Sequence, residues 1–288
     1  STSHRVVDAE GRIMMQMVPS PANADNTGWN QSMDDLVGLI REVREDSTFQ
    51  ISSGRRGDFS SITTGISMGQ GSLRPGRLLL KPWEKLADER LRASPGLRRL
   101  AGYQSYTMAY AFPKAYGHLY ETLDDYILQH PDACMNFPGA SIYSGMTVNL
   151  GPLTCCSTHL DSMNYPGIPC VVTSLGRFNH QVGAQMNYPR LKMVVDFPSY
   201  SSIYMPSAGV DHGNTLLPGR YTPGLNERAS VTQYVAGGLM RYCALGYRKV
   251  NDLRDLRDDV DPPGQNFTEL LGRYSTTESL EDDRKSVL

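Results

Sequence analysis

The sequence lacks the features of a membrane or secreted protein. Its 288 residues contain no run of eighteen apolar side chains, so we expect no membrane-spanning helix, and no signal peptide is visible at the N-terminus. The five cysteines are odd in number and follow neither a zinc-ligand nor a disulfide spacing, which favours free thiols in a reducing, intracellular compartment. The net charge of −2 provides no overall basic field to attract a polyanion.

Charge is nevertheless distributed unevenly along the chain. Residues 52–100 carry ten basic and four acidic side chains, whereas residues 251–288 carry ten acidic and five basic ones. The first segment has the charge to hold a phosphate backbone even in an acidic protein. A solvated helix face balanced by the acidic tail explains the same counts equally well.

The length and the 40% hydrophobic content are sufficient for one large core. We divide the chain into an extended arm (1–31), a single domain (32–250) and an acidic tail (251–288) with a short helix and a frayed end. Within the domain, residues 32–140 are expected to form helices and loops, including a long Gly-, Ser- and Arg-rich loop with one short strand at 52–77. Helices are predicted at 32–46, with Ser32 in the capping position, at 83–100 and at 116–129.

Residues 141–250 have the pattern of a β-rich core. From Ile142 to Leu150 apolar and polar residues alternate, which indicates a strand with one buried face. Short strands at this spacing form a sandwich or a barrel, so we expect an α+β protein with N-terminal helices packed on that core. Further strands, separated by Pro and Gly, are predicted at 168–175, 190–197, 202–205 and 229–235.

Three side chains in this core have the types and the order of a mononuclear iron site. Residues i and i+2 of a strand or its exit turn project to one side, so His159 and Asp161 can bind one metal. A second histidine, His212, follows 53 positions later (212 − 159), which is enough chain for several strands. Two histidines and one carboxylate leave positions open for a co-substrate and O2, as in the facial triad of non-haem Fe(II) oxygenases. Alone, the His-x-Asp pair could also arise by chance among six histidines.

An arginine beyond the last ligand predicts the binding site for 2-oxoglutarate. Arg228 lies sixteen positions after His212 (228 − 212), and its guanidinium can bind the distal carboxylate with two hydrogen bonds. Arg220 is a rival that follows His212 more closely. We favour Arg228 because Ser230 follows at i+2, on the same face of the predicted strand.

Four segments share a pattern with one family. They are Tyr143-Ser144-Gly145-Met146-Thr147, His159-Leu160-Asp161-Ser162-Met163-Asn164, the strand Cys170–Leu175, and Arg228-Ala229-Ser230 with Tyr234 six places after the arginine. Together they resemble the TET/JBP family of DNA-base dioxygenases, in its compact, non-animal form. The resemblance implies a double-stranded β-helix (jelly-roll or cupin-like) core. It also implies oxidation of 5-methylcytosine in DNA to 5-hydroxymethylcytosine, with further oxidation to 5-formyl- and 5-carboxylcytosine left open.

Carried over by position, the resemblance implies a role for each site residue. Asn164 would hydrogen-bond a base flipped out of the duplex, and Tyr234 would stack on it. The residues themselves leave alternatives open, because Asn164 is also a turn former and Tyr234 is also suited to ordinary core packing. The implied set for the metal and the co-substrate is His159, Asp161 and His212 for Fe(II), with Arg228 and Ser230 for 2-oxoglutarate.

The chain departs from the family pattern at two positions. The family has an arginine where this chain has Ser141, so a second contact to 2-oxoglutarate must come from elsewhere, with Asn149 as a candidate. The family also has a histidine where this chain has Ala236, which leaves the base preference open.

A DNA substrate would need phosphate contacts, which we expect from Arg55, Arg56, Arg74 and Arg77. On this hypothesis the partner is methylated DNA, the location is nuclear and the chain is a monomer. Three alternatives stay open: N6-methyladenine as the substrate, alone or with 5-methylcytosine; a protein or a small molecule as the substrate of the same iron chemistry; and a barrel that binds a ligand without catalysis.

Overall fold

The computed structural model describes residues 3–21, 23, 25–46, 56–69, 72–249 and 266–288. Within them, antiparallel strands form one sheet of eight, in the order β1-β2-β9-β6-β11-β5-β3-β4, and one of three, in the order β10-β7-β8. The strands are β1 (His4–Val7), β2 (Ile13–Val18), β3 (Ser61–Ser67), β4 (Gly76–Arg77), β5 (Gly145–Asn149), β6 (Cys170–Leu175), β7 (Met186–Tyr188), β8 (Met193–Val195), β9 (Ser202–Met205), β10 (Gly213–Asn214) and β11 (Ala229–Tyr234).

Helices cover the outer face of the large sheet and flank its ends. Three of them begin with proline, whose missing N–H costs nothing at the first helical position. No helix in the described part of the chain is long and apolar enough to cross a bilayer. The helices are α1 (Trp29–Glu45), α2 (Pro82–Arg92), α3 (Pro95–Ala111), α4 (Pro113–Gln129), α5 (Gly237–Ala244), α6 (Phe267–Leu271) and α7 (Leu280–Lys285).

The large sheet separates a hydrophobic core from a polar cavity. Strand β11 lies between β5 and β6, with Thr232 opposite both Thr147 and Val172. Because side chains alternate along a strand, Val231 and Val148 turn to the other face and are fully buried with residues of α1 and α3. Thr232 and Thr147 line a cavity whose opposite wall comes from the small sheet. This arrangement confirms the predicted α+β class with a double-stranded β-helix core.

The N-terminal segment is not the extended arm that we predicted. Strands β1 and β2 form a hairpin, and β2 extends the large sheet by pairing with β9, with Gln16 opposite Tyr204. Ile13 and Met15 are buried in two different parts of the core. The run Ile13–Val18 shows no alternation of apolar and polar residues, and the period-two pattern that reveals a one-sided strand is therefore missing.

The segment predicted as a long loop at 52–77 contains β3, which runs beside β5, and the short strand β4. The predicted helix at 83–100 is two helices, α2 and α3, separated where the Ser94 hydroxyl accepts a hydrogen bond from Leu97 N at 3.3 Å. Helix α1 begins at Trp29, with Gly28 rather than Ser32 as its cap.

Two other predicted elements differ from the structure. Residues 190–197 contain part of a 3-10 turn and the short strand β8, because Lys192 adopts a left-handed conformation between them. Residues 251–265 of the predicted tail lie outside the described residues. The described part of the tail is packed rather than frayed, since Leu280 is buried and Ile13 N donates to Ser275 O at 2.9 Å.

Truncation of Met15 tests whether the hairpin belongs to the core. We expect Met15→Ala to lower the free energy of unfolding by about 2–4 kcal/mol, because the lost side chain leaves a cavity between packed groups. Urea denaturation measures the change. Val7→Ala, at an exposed position of the same hairpin, should change it by less than about 0.5 kcal/mol. Equal effects of the two substitutions would contradict the packing described above.

Candidate metal centre and cavity

His159 and His212 meet across an isolated antiparallel bridge. His159 N donates to His212 O at 3.0 Å, and His212 N donates to His159 O at 3.1 Å. The next residue, Gly213, pairs with Asn187 of β7, which fixes the second histidine against the small sheet. Two histidines far apart in the sequence therefore have their ring centroids 4.5 Å apart.

Backbone carbonyls fix the tautomer of both imidazoles. Nδ1 of His159 lies 2.8 Å from Ser157 O, and Nδ1 of His212 lies 2.8 Å from Val210 O. Because a carbonyl oxygen only accepts, each Nδ1 carries the proton and each Nε2 presents a lone pair. Burial lowers the pKa of His212, which also favours its neutral form. Both Nε2 atoms are therefore prepared to bind a metal.

Asp161 supplies the third ligand. Its Oδ1 lies 3.5 Å from His159 Nε2, and its Oδ2 lies 3.8 Å from His212 Nε2. One ligand atom from each of the three residues lies within 4.8 Å of the others. In the described parts of the chain this is the one group of three or more such side chains placed to share an ion.

Three contacts hold the Asp161 carboxylate in this position. The backbone N of Asp161 donates to Ser207 O at 2.9 Å. Arg56 Nη2 donates to Oδ1 at 2.6 Å, and Asn164 Nδ2 lies 3.3 Å from Oδ2 and 2.9 Å from Ser207 Oγ. Contacts of this kind orient a metal ligand and are commonly needed for metal affinity.

The donor set fits Fe(II). Two neutral imidazoles and one carboxylate on one side of a cavity leave coordination positions open, as a non-haem iron oxygenase requires. Cys156 also lines the cavity, and burial raises the pKa of its thiol to about 11, but it is not among the three residues whose ligand atoms come together. The fold and the donors thus agree with the predicted Fe(II), 2-oxoglutarate and O2.

A cavity of about 460 Å³ opens beside the three ligands. Its walls come from β3, β5 and β11 on one side and from β7 and β10 on the other. The hydroxyl oxygens of Thr63 and Thr147, on the wall formed by the large sheet, are 3.0 Å apart. The volume lies in the range of sites for small molecules and cofactors.

Arg228 is a buried cation on the wall of this cavity. Its residue is 1% exposed, Nη1 donates to Thr154 O, and Nε has no hydrogen-bond partner. The rings of Phe178 and Phe197 lie 5.8 and 5.7 Å from the guanidinium carbon. Among the described residues no carboxylate pairs with it, and burial lowers its pKa to about 10. A buried charge without a counter-ion is costly, so this site suits a carboxylate ligand.

Ser230 and Asn149 line the same cavity as Arg228. They are opposite each other in the ladder between β11 and β5, and Asn149 Nδ2 donates to Ser230 Oγ at 2.9 Å. Because Asn149 fills the acceptor side of that hydroxyl, its proton is free to bind a ligand oxygen. The placement suits the predicted contacts to 2-oxoglutarate, and the roles themselves stay predictions.

Asn164 and Tyr234, predicted to contact a flipped base, also line the cavity. Asn164 uses its amide nitrogen on Asp161 and Ser207, so its described contacts support the metal ligand. The Tyr234 ring lies over Gly145, its partner in the ladder, where an added Cβ would lie 2.7 Å from the ring. A glycine at 145 is therefore required for this ring position.

Three of the four arginines predicted to contact phosphates pair with carboxylates of the protein. The fourth, Arg55, lies outside the described residues. Arg56 points into the cavity and pairs with Asp161. Arg74 pairs with Asp132 at 3.1 Å, and Arg77 pairs with Asp88 at 3.2 Å. Each of these three guanidiniums therefore has a carboxylate partner, although the Arg74–Asp132 pair is exposed to solvent.

Of the three remaining positions named from the sequence, two lie outside the cavity and one lines it. Arg220 is exposed and does not line the cavity, which supports the choice of Arg228. Ser141 donates to Gln233 Oε1 at 2.7 Å, also outside the cavity. Ala236 lines the cavity.

Sequence reasoning missed residues that act mainly through their backbone. Ser157 and Val210 set the histidine tautomers with carbonyl oxygens. Ser207 accepts from Asp161 N with its carbonyl oxygen and from Asn164 with its hydroxyl. A carbonyl belongs to every residue type, so no motif marks these positions. The one regular feature is that Ser157 and Val210 each lie two positions before a histidine.

Comparison with known proteins gives structural but not sequence neighbours. The structure of NgTET1 in complex with 5mC DNA matches with a TM-score of 0.55 at 13% identity, covering 83% of this chain and 78% of that chain. The structure of OsALKBH1 matches with a TM-score of 0.39 at 14% identity, over 77% of this chain and 96% of that chain. An oxidoreductase of the 2OG-Fe(II) oxygenase family from Burkholderia pseudomallei gives 0.35 at 14%, over 70% and 80%. No protein-family profile and no curated protein sequence matches the chain.

The likeness to NgTET1 shows that the fold is shared. That fold, with two histidines and one carboxylate on one cavity, agrees with the predicted Fe(II) and 2-oxoglutarate.

Removal of the carboxylate ligand tests the metal centre. We expect Asp161→Ala to abolish tight binding of Mn(II), used as a stand-in for Fe(II), because two imidazoles alone leave the ion without a charged ligand. Electron paramagnetic resonance titration of free Mn(II) measures binding. Asp132→Ala removes the acid of a comparable Arg–Asp pair away from the cavity and should bind Mn(II) normally. Normal binding by both variants would exclude this centre.

Replacement of the buried cation tests the carboxylate site. We expect Arg228→Met to abolish the rise in melting temperature caused by 2-oxoglutarate, while the unfolding free energy of the unliganded protein changes by less than about 1 kcal/mol. Removal of the buried charge offsets the missing hydrogen bond to Thr154. Arg44→Met is the control, because it leaves buried Glu227 with one cation fewer and should destabilise the protein. A normal thermal shift in the Arg228 variant would contradict the assignment.

Proposed function

We propose that this protein is an Fe(II)- and 2-oxoglutarate-dependent dioxygenase that oxidises the methyl group of 5-methylcytosine in DNA. The observation that carries the proposal is that one cavity holds the three metal ligands and Arg228, which pairs with no carboxylate among the described residues. A metal alone would need only the ligands. A dicarboxylate that binds the metal at one end needs a buried cation for its other end, and Arg228 supplies it.

The residues of the chain bind and orient the reactants. When bound, Fe(II) and 2-oxoglutarate use O2 to hydroxylate a C–H bond while the co-substrate is decarboxylated to succinate. The guanidinium of Arg228 neutralises the distal carboxylate, and the Ser230 hydroxyl donates to it. Arg56 and Asn164 keep the Asp161 carboxylate turned toward the imidazoles.

Two observations support a DNA base as the substrate. The neighbour with the shared fold, NgTET1, was solved in complex with 5mC DNA. The cavity also offers an aromatic ring, Tyr234, and the hydroxyls of Thr63 and Thr147 to a planar polar ligand. A methylated base lies inside the duplex stack, so the nucleotide must leave the stack to reach the cavity.

N6-methyladenine is the second candidate within the same chemistry. The small side chain of Ala236, where the family carries a histidine, leaves space in the cavity for a larger base. A protein or small-molecule substrate is the third candidate. The pairing of Arg56 with Asp161 and of Arg77 with Asp88 favours it, because these cations are then less available to phosphates.

Product analysis on two oligonucleotides tests the proposal. The protein is incubated with Fe(II), 2-oxoglutarate and duplex DNA carrying either 5-methylcytosine or N6-methyladenine, and nucleosides are identified by mass spectrometry. We expect 5-hydroxymethylcytosine, coupled to succinate release, and no product with the Asp161→Ala variant. Product from N6-methyladenine alone would assign the second substrate. Succinate release that neither DNA stimulates would exclude both.

A further inference from the structure

A fully exposed leucine directly follows a residue that lines the cavity. Leu78 comes after β4, its N donates to Gly65 O at 2.9 Å, and it is one of the residues that line the cavity. The next residue, Leu79, is 100% exposed. A single exposed leucine is unremarkable by itself. Its position one residue after the cavity wall is what requires an explanation.

Two lysines follow the leucine on one turn of chain. Lys85 N donates to Lys81 O at 2.9 Å, so the two residues lie one helical turn apart at the start of α2. Both are exposed, and no carboxylate among the described residues forms an ion pair with either. The arginines of the same basic segment differ, because they pair with acids at Arg74, Arg77, Arg90 and Arg92.

We propose that Leu79 is the wedge that enters the base stack when the target nucleotide leaves it, and that Lys81 and Lys85 bind the adjacent phosphates. Proteins that distort duplex DNA commonly insert an apolar side chain between base steps. A wedge must be apolar, exposed, beside the receiving cavity and close to cations that hold the backbone. Leu79 meets all four requirements. This inference rests on the proposed function.

Met163 is the rival at the rim, since it is 66% exposed and lines the cavity. It lies between Asp161 and Asn164, and its carbonyl oxygen accepts from Gly237 N at 2.8 Å. Insertion of Met163 into DNA would therefore pull on the loop that holds the metal ligand. Leu79 lies outside that loop, so it can move without disturbing the ligand.

Fluorescence of 2-aminopurine measures the wedge without turnover. The full chain, loaded with Mn(II) and 2-oxoglutarate, is mixed with duplex DNA in which 2-aminopurine neighbours 5-methylcytosine. Fluorescence rises when the neighbouring base leaves the stack. We expect Leu79→Ser to reduce the rise at saturating protein at least threefold. Leu225→Ser, at a 74% exposed leucine whose chain neighbours do not line the cavity, should match the wild type.

Turnover rates on duplex and on single-stranded DNA distinguish a role of Leu79 in base flipping from a role in the oxidation itself. We expect Leu79→Ser to oxidise methylated duplex about tenfold more slowly than the wild type, and methylated single strands within about twofold of it, because a single strand needs no wedge. Equal rates on duplex would overturn the wedge and leave the proposed function intact. A wild type that oxidises neither DNA would overturn both.

The lysines are tested by the salt dependence of duplex binding. We expect Lys81→Gln together with Lys85→Gln to reduce the slope of log affinity against log salt by about 2, one unit for each phosphate that is no longer bound. Lys285→Gln, whose ammonium pairs with Asp282, is the control and should keep the slope. An unchanged slope in the double variant would overturn the phosphate assignment. If an acidic peptide competes with DNA for the surface around Leu79, that surface binds a protein partner instead.

Discussion

The reciprocal backbone hydrogen bonds between His159 and His212 are the constraint on which the site depends. They join two irregular segments that belong to no long strand, at the residues whose side chains must meet. Carbonyl oxygens two positions before each histidine then set the proton on Nδ1. The backbone alone therefore fixes both the position and the tautomer of the imidazoles, whereas Asp161 also depends on the side chains of Arg56 and Asn164.

Side-chain types at fixed spacing predicted the metal ligands, because residues i and i+2 of an extended segment face one side. The same rule selected Arg228 over Arg220 through Ser230. Spacing does not say where a long side chain turns when several partners are available. Arg56 was expected on a phosphate, yet Asp161 binds it. The strand Ile13–Val18 was missed for a different reason, since it lacks the alternation that a one-sided strand displays.

Two adjacent buried charged residues, Glu227 and Arg228, differ in whether the protein neutralises their charge. Glu227 is buried and binds two guanidiniums, from Arg41 and Arg44, and Arg44 also donates to Leu150 O at 2.9 Å. The next residue, Arg228, has no counter-charge among the described residues; its Nη1 donates to Thr154 O and its Nε has no hydrogen-bond partner. Adjacent positions in the extended segment that enters β11 thus point to opposite sides, one satisfied by protein and the other left for a ligand.

The Tyr234 ring has room beside Gly145 because glycine carries only a hydrogen atom where other residues carry a side chain. A methyl group there would push the ring away or separate β5 from β11, and the ladder between these strands also carries Ser230 and Asn149. Substitutions at the two positions should therefore be correlated among homologues. Those with a bulkier residue at 145 should have lost the aromatic side chain at 234. Engineers who wish to reshape this wall must exchange both residues together.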